Sequence, residues 1–209
     1  MDKKLLKLTE DGLSLWYEEN YDKSWFVECT GVEYLKNYYT NHRPRLFERY
    51  HGWFGSLGLT GHGLDLGFTN GRGIYFFSRI FPHCKITAID FNKNTELIHD
   101  HLKNLIPQIV ELRTENCSAL SDPDEKYDFC TSTDFYEHVD ESTYFKSIRE
   151  VHRVLKKQGK FCVYLGKTIL PEHINLRPDW QVFQDMKHNG FKFIDKRNDL
   201  LVFEKNETS

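Results

Sequence analysis

A chain of 209 residues with a net charge of −3 and an isoelectric point near 6.4 suits one domain of ordinary size. It carries no global charge that would draw it to nucleic acid or to an anionic membrane. No run approaches the ~18 consecutive apolar residues of a membrane span, and the start Met1-Asp2-Lys3-Lys4-Leu5 lacks the apolar core of a signal peptide.

Residues 1–60 read as helical and irregular, with no strand alternation, and Trp16, Tyr17, Tyr21, Trp25, Phe26, Tyr34, Tyr38 and Tyr39 are scattered through them. They are expected to form an N-terminal aromatic cap within the same domain. From residue 61 to about 205 strands and helices alternate. His62–Leu66 predicts a first strand. A helix over 71–81 is stopped by Pro82. A second strand is expected over 85–89, a helix over 94–104, and further strands over 108–113 and 127–132. Phe145, Ile148, Val151 and Leu155 recur at helical spacing over 142–157, with Gly159 as the expected terminator. A strand over 161–165 and a helix over 179–188 follow. Strands over 191–195 and 200–204 are close enough to pair antiparallel through Arg197-Asn198-Asp199. The alternation implies crossover connections and a doubly wound, mostly parallel seven-stranded Rossmann-like sheet with one antiparallel strand.

The segment Leu64-Asp65-Leu66-Gly67-Phe68-Thr69-Asn70-Gly71-Arg72-Gly73 places an apolar strand, an acidic residue, a glycine-spaced turn and a helix in succession. Such a turn at the first strand–helix junction is where nucleotide-like ligands dock beneath a helix N-terminus. Asp90 closes the next strand about 20 residues on, where a ribose-binding carboxylate is expected. The pair points to a nucleoside-containing cofactor. A nicotinamide loop would read Gly-x-Gly-x-x-Gly, and Gly67-x3-Gly71-x-Gly73 does not fit it. Five widely spaced cysteines (Cys29, Cys84, Cys117, Cys130 and Cys162) form no CxxC pair. They read as reduced thiols of a cytoplasmic protein and argue against a cysteine zinc site.

On these motifs the chain resembles the class I S-adenosylmethionine-dependent methyltransferases, in particular those acting on small molecules. Asp65, Gly67 and Gly71 fall on that family's acidic-x-Gly-x-Gly-x-Gly turn, with Phe68 and the β-branched Thr69 as departures. Asp90 matches the carboxylate that holds both ribose hydroxyls, and Phe91 the apolar group flanking adenine. Asn116, after Glu115, stands where a carboxylate contacts the adenine amino group, and its amide carbonyl can accept the same bond. The resemblance implies S-adenosylmethionine as cofactor, with Cys117, Thr133 and Tyr21 as further contacts. Residues 131–139 resemble the exit of strand four with its Glu-His signature, and residues 153–159 the Arg-Val-Leu-Lys-Pro-Gly-Gly tail.

His138 is the first candidate for a general base, because it follows strand four and an unperturbed imidazole titrates near neutrality. Asp134 and Glu137 are alternates that could orient a neighbour. No strict ligand spacing supports a metal built from these three, and none is expected. A small-molecule methyl acceptor, with oxygen as the receiving atom, is the leading expectation. Thr133-Asp134-Phe135-Tyr136 lacks the prolines of the tetrapeptide typical of base and glutamine methyltransferases, which argues against a macromolecular substrate. A non-catalytic relative kept as a binding module is the other alternative, and exposed aromatics in the cap fit a homodimer.

Overall fold

In the computed structural model, residues 55–170, 172–197 and 199–206 are described. Alternating apolar residues in the strands send successive side chains to opposite faces of one sheet, and each face is covered by helices. In chain order the elements are β1 (His62–Leu66), α1 (Arg72–Ile80), β2 (Lys85–Asp90), a 3₁₀ stretch (Lys93–Ile98) running into α2 (His99–Leu105), β3 (Ile109–Thr114) and β4 (Tyr127–Thr133). There follow a 3₁₀ turn (Tyr136–His138), α3 (Glu141–Val154), β5 (Leu155–Tyr164), α4 (Asp179–His188), β6 (Phe191–Arg197) and β7 (Leu200–Lys205).

The seven strands lie in the order β3-β2-β1-β4-β5-β7-β6. All neighbours from β3 to β5 pair parallel, while β7 runs antiparallel to both β5 and β6. The predicted hairpin therefore forms, but its second strand slots between β5 and the first. The two faces can be read off β7: Leu201 and Phe203 join one core cluster with Tyr144, Ile148 and Val151 of α3 and Met186 of α4. Leu200 and Val202 join another with Phe76, Phe77 and Ile80 of α1. A third cluster packs α1 and α2 on β2 and β3 through Ile74, Leu102, Ile86 and Ala88.

Two predicted boundaries move. The helix expected to reach residue 157 ends at Val154, and Gly159 is no helix terminator but part of β5. Leu155 pairs with Tyr127 while Lys160 pairs with Phe129, so the intervening residues bulge out of the ladder, with Gln158 at φ 61°. Sheet pairing outweighs the helical periodicity there. Lys156 and Lys157 accordingly lie in that bulge rather than on a helix, and Lys156 donates to Asp128 at 2.7 Å. The helix expected over 94–104 opens instead as a 3₁₀ turn capped by Asn92, whose Oδ1 accepts the N–H of Asn94 at 2.9 Å.

Candidate active site

The strand order reverses at β1, between β2 and β4, and at such a point loops from neighbouring strands diverge and leave a crevice at their carboxyl ends. A cavity of about 280 Å³ opens there, walled by Gly67 after β1, Asp90 and Phe91 at the end of β2, Asn116 and Cys117 after β3, and His138 after β4. A side chamber of about 40 Å³ adds Thr69, Asn92 and Asp134 to the wall.

The turn after β1 is held tightly. Gly67 has φ 73°, and a Cβ there would come within 2.4 Å of the Phe135 ring, so only glycine fits. Thr69 adopts φ 47°, a left-handed conformation that disfavours β-branched residues. Its N–H donates to Asp90 Oδ2 at 2.8 Å, and the Asn92 N–H donates to Asp90 Oδ1 at 2.9 Å. Burial pushes the Asp90 carboxyl up to about 6 against these backbone hydrogen bonds. A carboxylate offers about four acceptor positions, so acceptor capacity remains on both oxygens.

Several residues assigned to the cofactor from sequence stand elsewhere. Phe68 is 2% exposed and packs into the α1–α2 cluster, so its side chain faces away from the crevice. Asp65 is buried beside Thr131, whose hydroxyl donates to Asp65 Oδ1, and burial raises it to about 7. It lines neither chamber. Gly71 is the N-cap of α1 in a left-handed conformation, and a Cβ there would meet Leu102. Thr133 sits beneath Gly73 at the end of β4. The N–H groups of Gly67 and Phe68 bond to Ile89 O and that of Gly71 to Phe68 O, so the turn's amides are largely spent internally.

On the opposite wall Asn116 is exposed, and its Oδ1 accepts both the N–H and the hydroxyl of Ser118 at 2.9 and 2.8 Å. Its amide N–H₂ is therefore the end available to a ligand. Cys117 is buried against the cavity, and burial pushes its thiol up to about 12. Phe91 is 47% exposed and lines the cavity. Tyr21 lies outside the described residues.

The 3₁₀ turn after β4 carries the buried Glu137 and His138, which lines the crevice, and Asp134 stands exposed beside them at φ 49°. Glu137 is 1% exposed, its Oε1 accepts the Gly166 N–H at 2.8 Å, and burial followed by the Asp134 charge raises it to about 8. Burial, then the neighbouring His173, lowers His138 to about 4, so its imidazole is neutral and weakly basic at neutral pH. His173, from the loop between β5 and α4, meets His138 edge to face with ring centroids 4.6 Å apart. Nothing in the local pattern around His173 singled it out. Phe135 and Asn92, which shape the crevice, were likewise missed, although Asn92 directly follows the Asp90-Phe91 pair.

Strand order, antiparallel β7 and the carboxylate ending β2 together define the class I methyltransferase fold. Residues 64–163, running from within β1 into β5, match the family model described as a methyltransferase domain. Solved structures of similar fold include the 1,6-didemethyltoxoflavin-N1-methyltransferase of Burkholderia thailandensis, with bound 1,6-didemethyltoxoflavin and S-adenosylhomocysteine. It is 15% identical with a TM-score of 0.64, over 92% of this chain and 90% of that one. The N-methyltransferase NodS of Bradyrhizobium japonicum is 18% identical with a TM-score of 0.58, over 77% and 97% of the two chains. The [4+2]-cyclase SpnF is 16% identical with a TM-score of 0.62, over 76% and 80%. No curated protein sequence matches this chain.

Proposed function

We propose that this protein is an S-adenosylmethionine-dependent methyltransferase that methylates an oxygen of a small molecule. One observation carries the reading: Asp90, at the end of β2, lines the crevice with one backbone N–H on each oxygen and acceptor capacity to spare, and Phe91 is exposed beside it. That geometry suits two ribose hydroxyls and the face of an adenine. Asn116 would meet the base through its N–H₂, because Ser118 occupies its carbonyl. With the turn amides spent internally, the amino-acid end of the ligand is left to the N-terminus of α1, whose dipole favours a carboxylate.

When bound, the sulfonium supplies a methyl carbon that needs only an aligned nucleophile. The acceptor oxygen forms the new bond to carbon, the carbon–sulfur bond breaks, and the hydroxyl proton must leave. Asp134 and His138 line the crevice and would be the first groups to steer that proton, with the buried Glu137 adjoining them. Phe135 and Val139 help to exclude water from the chamber. The acidic net charge and the proline-free Thr133–Tyr136 segment favour a small acceptor over a nucleic acid.

A second reading, a fold retained for binding or other chemistry, draws on the internally satisfied turn amides and on a cyclase among proteins of this fold. Calorimetric titration with S-adenosylhomocysteine separates the two. Micromolar-range binding is expected, weakened by about 1.5–3 kcal/mol in Asp90→Ala, the loss of a charge-assisted hydrogen-bonding group. A folded chain that ignores the nucleoside would favour the second reading.

A further inference from the structure

We propose that Glu137, His138 and His173 form a binding site for one divalent transition ion of the zinc class, set in the wall of the crevice. A carboxylate oxygen and one nitrogen from each imidazole all lie within 4.8 Å of one another. They come from two segments far apart in sequence, the 3₁₀ turn after β4 and the loop between β5 and α4. Two imidazoles and one carboxylate are the donors of open, three-ligand zinc and non-haem iron centres. Magnesium and calcium take oxygen ligands instead. Bonds of about 2.0–2.2 Å would place the donors about 3.3 Å apart, a contraction that side-chain rotation can supply.

The surroundings are arranged for this. Glu137 Oε1 is fixed by the Gly166 N–H, and a Cβ on residue 166 would sit 2.0 Å from that oxygen, so only glycine lets the carboxylate seat there. The other oxygen, Oε2, is buried with no hydrogen-bond partner among the described residues, and no lysine or arginine among them pairs with Glu137. A buried polar oxygen without a partner is costly, and coordination to a cation would satisfy it. His173 Nδ1 lies 2.6 Å from Thr168 O, an outer hydrogen bond that would protonate Nδ1 and leave Nε2 to ligate. The His138 imidazole likewise meets the backbone of Glu172, a contact that would fix its tautomer. The two segments are tied together independently of any ion. The Asn175 N–H donates to Glu137 O at 3.1 Å, and its side chain donates to Tyr136 O at 3.2 Å.

His138 also lines the main cavity, so an open coordination position would face the acceptor. If the methyl-transfer reading holds, on which this use of the ion rests, the ion would bind the acceptor hydroxyl through oxygen and ease loss of its proton to solvent.

The test uses the metal-stripped full chain titrated with Co²⁺, read by its visible absorption, and with Zn²⁺ by equilibrium dialysis. One ion per chain is expected, with affinity at least about tenfold lower in both His173→Ala and Glu137→Gln. Titration with S-adenosylhomocysteine runs on the same preparations. Variants that keep nucleoside binding while losing the ion isolate the ligands from the fold. A wild-type chain that gives no Co²⁺ spectrum, or Zn²⁺ binding unchanged in both variants, overturns the site. A wild type that binds the ion but not the nucleoside keeps the site and sinks the methyl-transfer reading instead.

Discussion

Asp90 shows how much of the site depends on one carboxyl group. Its oxygens hold the turn after β1 through Thr69 and the start of the next turn through Asn92, so the residue that would grip the ribose also shapes the pocket around it. Burial lifts its folded-state value to about 6, above the usual carboxylate range. The ionised form is the better hydrogen-bond acceptor, and it is populated above that value. Affinity for S-adenosylhomocysteine is therefore expected to be flat above about pH 6 and to fall as the pH drops below it. An Asp90→Asn variant, measured by the same calorimetry, should bind weakly with no such step; a step of the same size in that variant would assign the titration to another group. Thr69 is the adjoining compromise: a β-branched residue is held left-handed because its N–H is needed by Asp90.

Among the elements, the stretch joining β3 to β4 is anchored by charge rather than by an apolar stripe. Asp122 is 4% exposed and accepts bonds from Arg113 Nη1 at 2.9 Å and Lys126 Nζ at 2.6 Å. Arg153 of α3 reaches the same stretch through the carbonyls of Asp122 and Leu120 at 2.7 and 2.9 Å. Arg153 is thus a tie between helix and loop. Burial works to raise the Asp122 carboxyl, but the Arg113 and Lys126 hydrogen bonds outweigh it and hold the group well below the usual range. A carboxyl depressed in the folded state stabilises fully above its unfolded value of ~3.9 and loses that contribution as the pH falls through the folded value. Asp122→Asn should lower stability by about 3 kcal/mol near neutrality, as expected for breaking a buried ion pair. Urea unfolding should show the deficit constant above about pH 5 and shrinking in acid. A deficit independent of pH would mean that the amide disturbs packing rather than charge.

At the level of the whole molecule, the crevice exists because β1, β2 and β4 splay their loops apart where the strand order turns, and a ligand there would bridge all three. Filling it should couple binding to global stability. At a concentration one hundred times the dissociation constant, S-adenosylhomocysteine should add about 2.7 kcal/mol. For a chain of this size that raises the melting temperature by about 5–10 °C, readable by calorimetry. Binding without any stabilisation would place the nucleoside on a surface outside the cooperative fold.

Much of this architecture follows from patterns local to the chain. Apolar alternation, the glycine-spaced turn and Asp90 about 20 residues beyond it mark the strands, the switch point and the carboxylate proposed to hold a ribose, because burial and turn chemistry are written into neighbouring residues. The inward turn of Phe68, the occupied carbonyl of Asn116 and the insertion of β7 between β5 and β6 are not local properties. Neither is the meeting of His173 with Glu137 and His138 across two loops. Spacing within a segment tells which face of an element is buried. Which side chains from distant segments converge is decided only when the sheet orders its strands and the packed helices fix where each loop lands.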